Sequence, residues 1–393
     1  MPTFEGTGIK NLKLRGGVYY WRQRIRGVQY SESLQTGDRE EAERRMADKV
    51  DAVKKGTGLK EKKMTKARDI SSEPTDQSAG WVTFDPNLKI VDCTVRDGGL
   101  CNAHKFEEGF FRKVYDTCVA GGIDYMEVGY KADKKLFSGN DNGPWKFSSE
   151  EDIRREVGDN DSSLKLCAMA DTGRTNLDDI LPREDSVLDL IRVATYIHQI
   201  PAALEIVKDA KQKGYEVALN LMAVSTVPDY ELDNGLEAVA AVDEIDFLYV
   251  VDSFGSLYYE QVGDLINRYK KTGKTLGIHA HNNQQLAYAN TIYAAINGVK
   301  LLDTTLMGMG RGAGNCPTEL LVGFLKNPKF NIRPILQFVQ ETMHPLSQEI
   351  DWGYSIPYMI TGHYNEHPRT AIALRDSDRK DDYTGFYDEI AAI

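Results

Sequence analysis

Beyond residue 88 the chain alternates between two hydrophobic rhythms. Short apolar runs rich in Val, Ile and Leu fall at 89–94, 124–128, 165–170, 190–194, 216–222, 247–251, 275–281 and 302–306. Their length and composition predict strands. Between them, stretches such as 107–120, 201–213, 233–242, 258–271 and 285–297 repeat apolar residues at helical spacing, and two of these stop at Gly214 and Gly298. Strand–helix alternation implies a parallel sheet. Eight such units within about 240 residues predict a closed (β/α)8 TIM barrel over residues 87–326. An open doubly wound sheet is the alternative, but no Gly-x-Gly-x-x-Gly follows the first strand, so a dinucleotide site lacks support.

The first 60 residues follow another pattern. Gly16-Gly17 leads into the aromatic and basic run 18–26, Gly27 turns the chain, and 28–34 can pair back as a hairpin. Asp38 then caps a helix over 39–55 with Ala42, Met46, Val50 and Val53 on one stripe. The expectation is a small basic β-hairpin-plus-helix module over 1–60, followed by a polar linker over 61–86. Charge agrees with the division. The whole chain carries a net −11, yet residues 1–63 hold 15 Lys and Arg against 9 Asp and Glu. After residue 326 the pattern stays helical to about 348 and passes Trp352, Tyr354 and Tyr358, ending in a charged stretch, 375–388, expected to be a solvated or partner-binding acidic tail. This helical C-terminal extension, 327–393, is placed to cap the barrel mouth or to make a homo-oligomer contact.

Composition excludes some classes. Hydrophobic content of 41% and charged content of 27% suit a soluble globular protein. No run of 18 apolar residues occurs and no apolar signal core opens the chain, so neither a membrane span nor secretion is expected and the compartment is read as cytoplasmic. Five cysteines without a Cys-x-x-Cys pair read as small buried thiols.

In such a barrel, function gathers at the C-terminal ends of the strands. Those ends carry Arg96-Asp97-Gly98-Gly99 after the first, Glu127 on the second, Asp171 on the third, Asn220 on the fifth and Asp252-Ser253 on the sixth. His279-Ala-His281-Asn282 ends the seventh, and 307–315 follows the eighth. On a strand, residues i and i+2 share a face, so His279 and His281 can grip one metal ion, with further ligands converging from other strands.

Three motifs in order, Asp92-Cys-Thr-Val-Arg96-Asp97-Gly-Gly, His279-Ala-His281-Asn282 and Gly308-Met-Gly-Arg-Gly-Ala-Gly-Asn315, resemble the DRE-TIM metallolyase superfamily, which includes HMG-CoA lyase and isopropylmalate synthase. The 4-hydroxy-2-oxoacid aldolase branch is the most similar. The resemblance implies that Asp97, His279 and His281, with Asn315 as a possible fourth, bind a divalent Mn2+ or Mg2+. It further implies a 2-oxoacid substrate cleaved or formed through an enolate that Arg96 stabilises. Two histidines and a carboxylate could equally hold Fe2+ for oxygen chemistry, a lesser alternative. Arg96 and Asp97 share a pocket only if the chain bends there, which Gly98-Gly99 would permit.

One departure stands out. Leu100 occupies the position where the aldolases keep a general-base histidine, and leucine moves no proton. His104, Glu127, Asp252, His363 and His367 are the replacement candidates, with Arg96, Glu127 and Asp252 taken as the catalytic set. An acyl-CoA-dependent Claisen-type synthase, and a non-catalytic barrel with a DNA-binding front module, are the competing readings. Residues 1–60 resemble the N-terminal arm-type DNA-binding domain of tyrosine recombinases, through Gly16-Gly17-Val-Tyr-Tyr-Trp-Arg22, Ser33-Leu34 and Glu40-Glu-Ala-Glu43, which would make Arg22, Arg24 and Arg26 phosphate contacts.

Overall fold

A computed structural model of the chain describes residues 5–6, 10–25, 28–55 and 85–392. It divides into two units, Met1–Ser72 and Glu73–Ile393. Most of the expected linker lies outside the described residues, but its end does not: Asp85 accepts a hydrogen bond from Lys300 Nζ at 2.5 Å and so already belongs to the barrel.

The smaller unit holds more strand than the expected hairpin. Strands β1 (Glu5–Gly6), β2 (Leu12–Arg15), β3 (Val18–Ile25) and β4 (Val28–Ser33) form one antiparallel sheet in that order, followed by the helix Arg39–Lys55. β2 is short and lies just before the Gly16-Gly17 turn, whose two positive φ angles suit glycine alone. Leu12, Trp21, Leu34 and Ala42 are fully buried together, with Tyr19, Met46 and Val50 against them. The phosphate-contact reading cannot be checked here, because the side chains of Arg22 and Arg24, and Arg26 altogether, lie outside the described residues.

The larger unit is a closed parallel barrel of eight strands. They are β5 (Lys89–Asp92), β6 (Tyr125–Tyr130), β7 (Lys165–Asp171), β8 (Leu190–Thr195), β9 (Glu216–Leu221), β10 (Phe247–Asp252), β11 (Thr275–Ala280) and β12 (Leu301–Thr304). All eight expected strands are present, with ends shifted by one or two residues. Side-chain alternation sorts each strand into an outer face packed on helices and an inner face that fills the lumen. The lower lumen is plugged by Tyr125, Cys167, Leu190, Ala218, Phe247 and Leu301. The next residues in phase on three of those strands are Glu127, Arg192 and Asp303, which are charged and almost wholly buried. Gly277 is small because it must be: a Cβ there would sit 2.5 Å from the Tyr249 ring.

The C-terminal residues cover the mouth. Tyr358, Ile360, Ala371, Leu374, Phe386 and Ile390 form a core with Ala313 of the loop after β12. Asn283 and Gln284, just beyond β11, donate to the carbonyls of Tyr358 and Met359 at 3.2 and 2.7 Å. The expected solvated tail is corrected here. Helix Tyr383–Ala391 buries Phe386 and Ile390, an i,i+4 pair hidden in a charged stretch. Among the described residues no helix is long and apolar enough to cross a membrane.

Gly277→Ala should cost about 1–3 kcal/mol, read as a lowered urea midpoint for the barrel. Exposed Gly139→Ala, whose Cβ meets nothing within 4 Å, should change stability by less than about 0.5 kcal/mol. Equal midpoints for the two variants would mean the Tyr249 ring yields freely.

Candidate metal centre at the barrel mouth

After β5 the chain coils rather than continuing straight. The Asp97 amide donates to the Cys93 carbonyl at 2.8 Å, and that turn brings Arg96 and Asp97 into one pocket. Gly98 and Gly99 are needed for a different reason than expected. Neither has a positive φ; instead a Cβ on Gly99 would fall 2.1 Å from the His104 ring and one on Gly98 would meet Met309 at 3.0 Å. Close approach, not backbone freedom, requires them.

Asp97 is the hub. Its Oδ1 accepts from Arg96 Nη1 at 2.7 Å and its Oδ2 from Asn315 Nδ2 at 2.6 Å. Burial pushes the Asp97 carboxyl up, but the positive charge around it, with the Arg96 guanidinium in contact, outweighs burial and holds the group well below the usual carboxylate range. His281, just past the end of β11, has Nδ1 3.9 Å from Asp97 Oδ2, and burial keeps its ring neutral. The rings of His279 and His281 stand nearly perpendicular with centroids 5.1 Å apart. One ligand atom from each of Asp97, His279 and His281 lies within 4.8 Å of the others.

His279 is oriented from behind. Its Nδ1 lies 3.0 Å from Asp303 Oδ2. Burial raises the Asp303 carboxyl, yet Arg192 beside it brings it below the ordinary value, so it is ionised and accepts the Nδ1 proton. That leaves the Nε2 lone pair, on a buried atom with no hydrogen-bond partner. Asn315 Oδ1 is likewise buried and unpartnered. Two unpartnered electron-pair donors beside an ionised carboxylate and a neutral imidazole are the donor set a divalent cation takes. Cys93, His279 and Asp303 also lie close together. That group fits poorly, because Arg192 Nη2 already holds Asp303 Oδ2 at 2.5 Å and burial pushes the Cys93 thiol up.

Arg192 and Asp303 were missed in the sequence, although a charge in phase with the lumen in each of two apolar strands, Leu-Ile-Arg-Val and Leu-Leu-Asp-Thr, was the available signal. Arg192 Nη1 lies 2.9 Å from Glu127 Oε2, which also accepts from Arg96 Nε at 2.6 Å. Glu127 is therefore a brace between two guanidinium groups, fully buried and set below the wall of the central cavity, with Oε1 left unpartnered. Asp252 faces the loop after its own strand. Its carboxylate accepts from the Ser256 and Leu257 amides at 3.0 and 3.3 Å, while its neighbours Val251 and Ser253 face the cavity.

The cavity at the centre is small, ≈ 70 Å³, and Arg96, Leu100, Tyr130, Asp171, Asn220 and Arg311 are among its walls. His104 is not part of that wall. It is buried edge-on against Tyr130, with centroids 5.4 Å apart, and burial, then Lys146, push its pKa down to about 3. His363 is exposed beside Tyr364, and His367 meets Arg311.

The fold and site together define a (β/α)8 barrel enzyme class with a two-histidine, one-carboxylate centre at the C-terminal mouth. The HMGL-like family profile matches residues 194–343. A 4-hydroxy-2-oxovalerate aldolase of Pelotomaculum thermopropionicum is 30% identical over 63% of this chain and 72% of its own. An oxaloacetate decarboxylase of Mycobacterium tuberculosis is 30% identical over 60% of this chain and 69% of its own. Among solved structures, the N-terminal domain of a candidate aldolase from Bacteroides vulgatus superposes with a TM-score of 0.68 at 29% identity, over 78% of this chain and all of that domain. HMG-CoA lyase of Bacillus subtilis, at 15% identity and a TM-score of 0.55 over 68% of this chain and 94% of its own, shares the fold. The chain belongs to the HMGL-like family, within the DRE-TIM metallolyase superfamily.

Asp303→Asn should weaken Mn2+ binding about 10- to 100-fold in calorimetric titration, because the amide no longer enforces the Nδ1-protonated form of His279. Unchanged affinity would mean that His279 needs no such partner.

Proposed function

We propose that the protein is a cytoplasmic, divalent-metal-dependent carbon–carbon lyase that acts on a 2-oxoacid through an enolate. The observation that carries this reading is the convergence of buried Asp97, His279 and His281 beside Arg96 at the barrel mouth. A Mn2+ or Mg2+ ion held by those three residues, with Asn315 Oδ1 beside them, would supply a Lewis acid for the substrate's carboxylate and 2-oxo group. The rest of the work falls to the chain. Arg96 lines the cavity with Nε fixed by Glu127 and Nη1 by Asp97, so its remaining donors are preorganised for negative charge growing on a substrate oxygen. Leu100 contributes an apolar wall that excludes water from the enolate.

In the cleavage direction the C4 hydroxyl gives up a proton, the C3–C4 bond breaks, its electron pair enters the enolate, and C3 then takes a proton back. Asp171 is the group we assign to this proton. It lines the cavity, and burial raises its carboxyl although Lys146 and Arg174 partly offset the effect. Tyr130 also lines the cavity, but burial pushes its phenol up, so it stays protonated at neutral pH and makes a poor base. The named activities of the two relatives, an aldolase and a decarboxylase of oxoacids, support the same chemistry.

The neighbouring cavity, ≈ 620 Å³, has a wall of mixed charge, with Arg311, Arg375 and Lys380 beside Glu349, Asp351, Asp376 and Asp381. A homo-oligomer and a DNA contact through residues 1–60 remain proposals carried by sequence. Retardation of DNA by the full chain at low salt, lost as salt rises, is the expected result for the second.

The metal-loaded protein should exchange the methyl protons of pyruvate with solvent deuterium and release pyruvate from 4-hydroxy-2-oxoacids, both followed by NMR. Chelation or His279→Ala should lower turnover about 10³-fold, equivalent to roughly 4 kcal/mol. Asp171→Asn should lower kcat by about 10²–10⁴ with little change in KM. Full activity in chelator would contradict the reading, and full activity of Asp171→Asn would move the base elsewhere.

A further inference from the structure

The cavity beside the metal ligands, ≈ 70 Å³, is much the smaller of two that share wall residues. The ≈ 620 Å³ cavity lies between the barrel mouth and the C-terminal helices, and Leu100 and Arg311 are walls of both cavities. These two residues stand at the boundary of the two cavities. One is apolar; the other is a cation.

Arg311 is a cation without a carboxylate. Among the described residues no Asp or Glu oxygen lies within 4.0 Å of it, whereas Arg96, the other arginine on the small cavity's wall, holds two. The Arg311 guanidinium is poorly served in other ways too. Its Nη2 donates to the Ser253 carbonyl at 3.0 Å, and its Nε is buried with no acceptor. Its Nη1 faces His367 Nε2 at 3.2 Å, but the Arg369 amide claims Nδ1 of the same ring at 3.1 Å. A neutral imidazole accepts at one nitrogen only, so both donors cannot be satisfied.

We infer that Arg311 reads a second anionic group on the substrate, so that the preferred substrates of the lyase are 2-oxoacids whose far end carries a carboxylate or a phosphate. This rests on the lyase reading and specifies its substrate class. A planar guanidinium suits either oxyanion through paired N–H donors.

The test uses inert ligands and the Mg2+-loaded full chain. Calorimetry compares 2-oxoglutarate, 2-oxopentanoate and 2-oxo-4-phosphonobutanoate, which share a head and a length and differ in the distal group. At least one anionic acid should bind about 10- to 100-fold tighter than 2-oxopentanoate, and the tighter of the two identifies the source of the anion. Arg311→Gln should collapse that ratio to within about threefold, and Arg311→Lys should keep part of it. Equal affinities for all three acids in the native protein, or an unchanged ratio in Arg311→Gln, would overturn the inference, as would binding of none. Exchange of the pyruvate methyl protons by the native protein, read separately, tells whether the lyase reading survives such a failure.

Discussion

The mouth of this barrel depends on a run of alternating charges buried in its lumen. Asp97, Arg96, Glu127, Arg192, Asp303 and His279 follow one another through contacts of 2.5–3.0 Å, linking β5, β6, β8, β12 and β11. Burying five formal charges is expensive unless each is paired, and removing one member strands its neighbour in a medium that cannot solvate it. The run therefore couples the position of one metal ligand, Asp97, to that of another, His279, across the barrel. Its alternation sets the protonation states. Arg192 keeps Asp303 ionised, Asp303 fixes the Nδ1 proton of His279, and Nε2 is left to act as a donor. A layer of apolar and aromatic side chains below, including Tyr249 under Arg192 at 4.4 Å, closes the lumen to water from beneath.

This arrangement assigns positions to groups that strand-end chemistry alone cannot separate. Glu127, Asp171 and Asp252 are all acids on barrel strands. Phase and depth distinguish them. Asp252 is out of phase with the lumen, so it caps its own loop; Glu127 is in phase but one layer too deep, so it braces two arginines. Asp171 is in phase and at the level of the cavity. Leu100 gives one side of the pocket an apolar wall.

Much of the fold was legible because it is written in period and length. Eight apolar runs at regular spacing specify a barrel, and the His279–His281 spacing with Asp97 and Asn315 marks its mouth. What escaped was information carried by pairing across the lumen. Arg192 and Asp303 sit in strands whose other residues are apolar, and each becomes meaningful only when barrel closure brings them within 2.5 Å over 111 positions of sequence. The front module escaped in part for the opposite reason. Its first strands are two and four residues long, too short to leave a period. The C-terminal helix was masked by charge, since two buried residues in a stretch of acids and bases do not make a visible stripe.

The central claim is that Asp97, His279 and His281 hold one divalent ion. Anomalous diffraction from crystals of the Mn2+-loaded protein addresses it most directly. The account predicts a single strong peak per chain within coordination distance of an Asp97 carboxylate oxygen, His279 Nε2 and a His281 ring nitrogen, with Asn315 Oδ1 adjacent. A peak seated instead on Cys93 and Asp303, or no peak in the barrel at all, would contradict it.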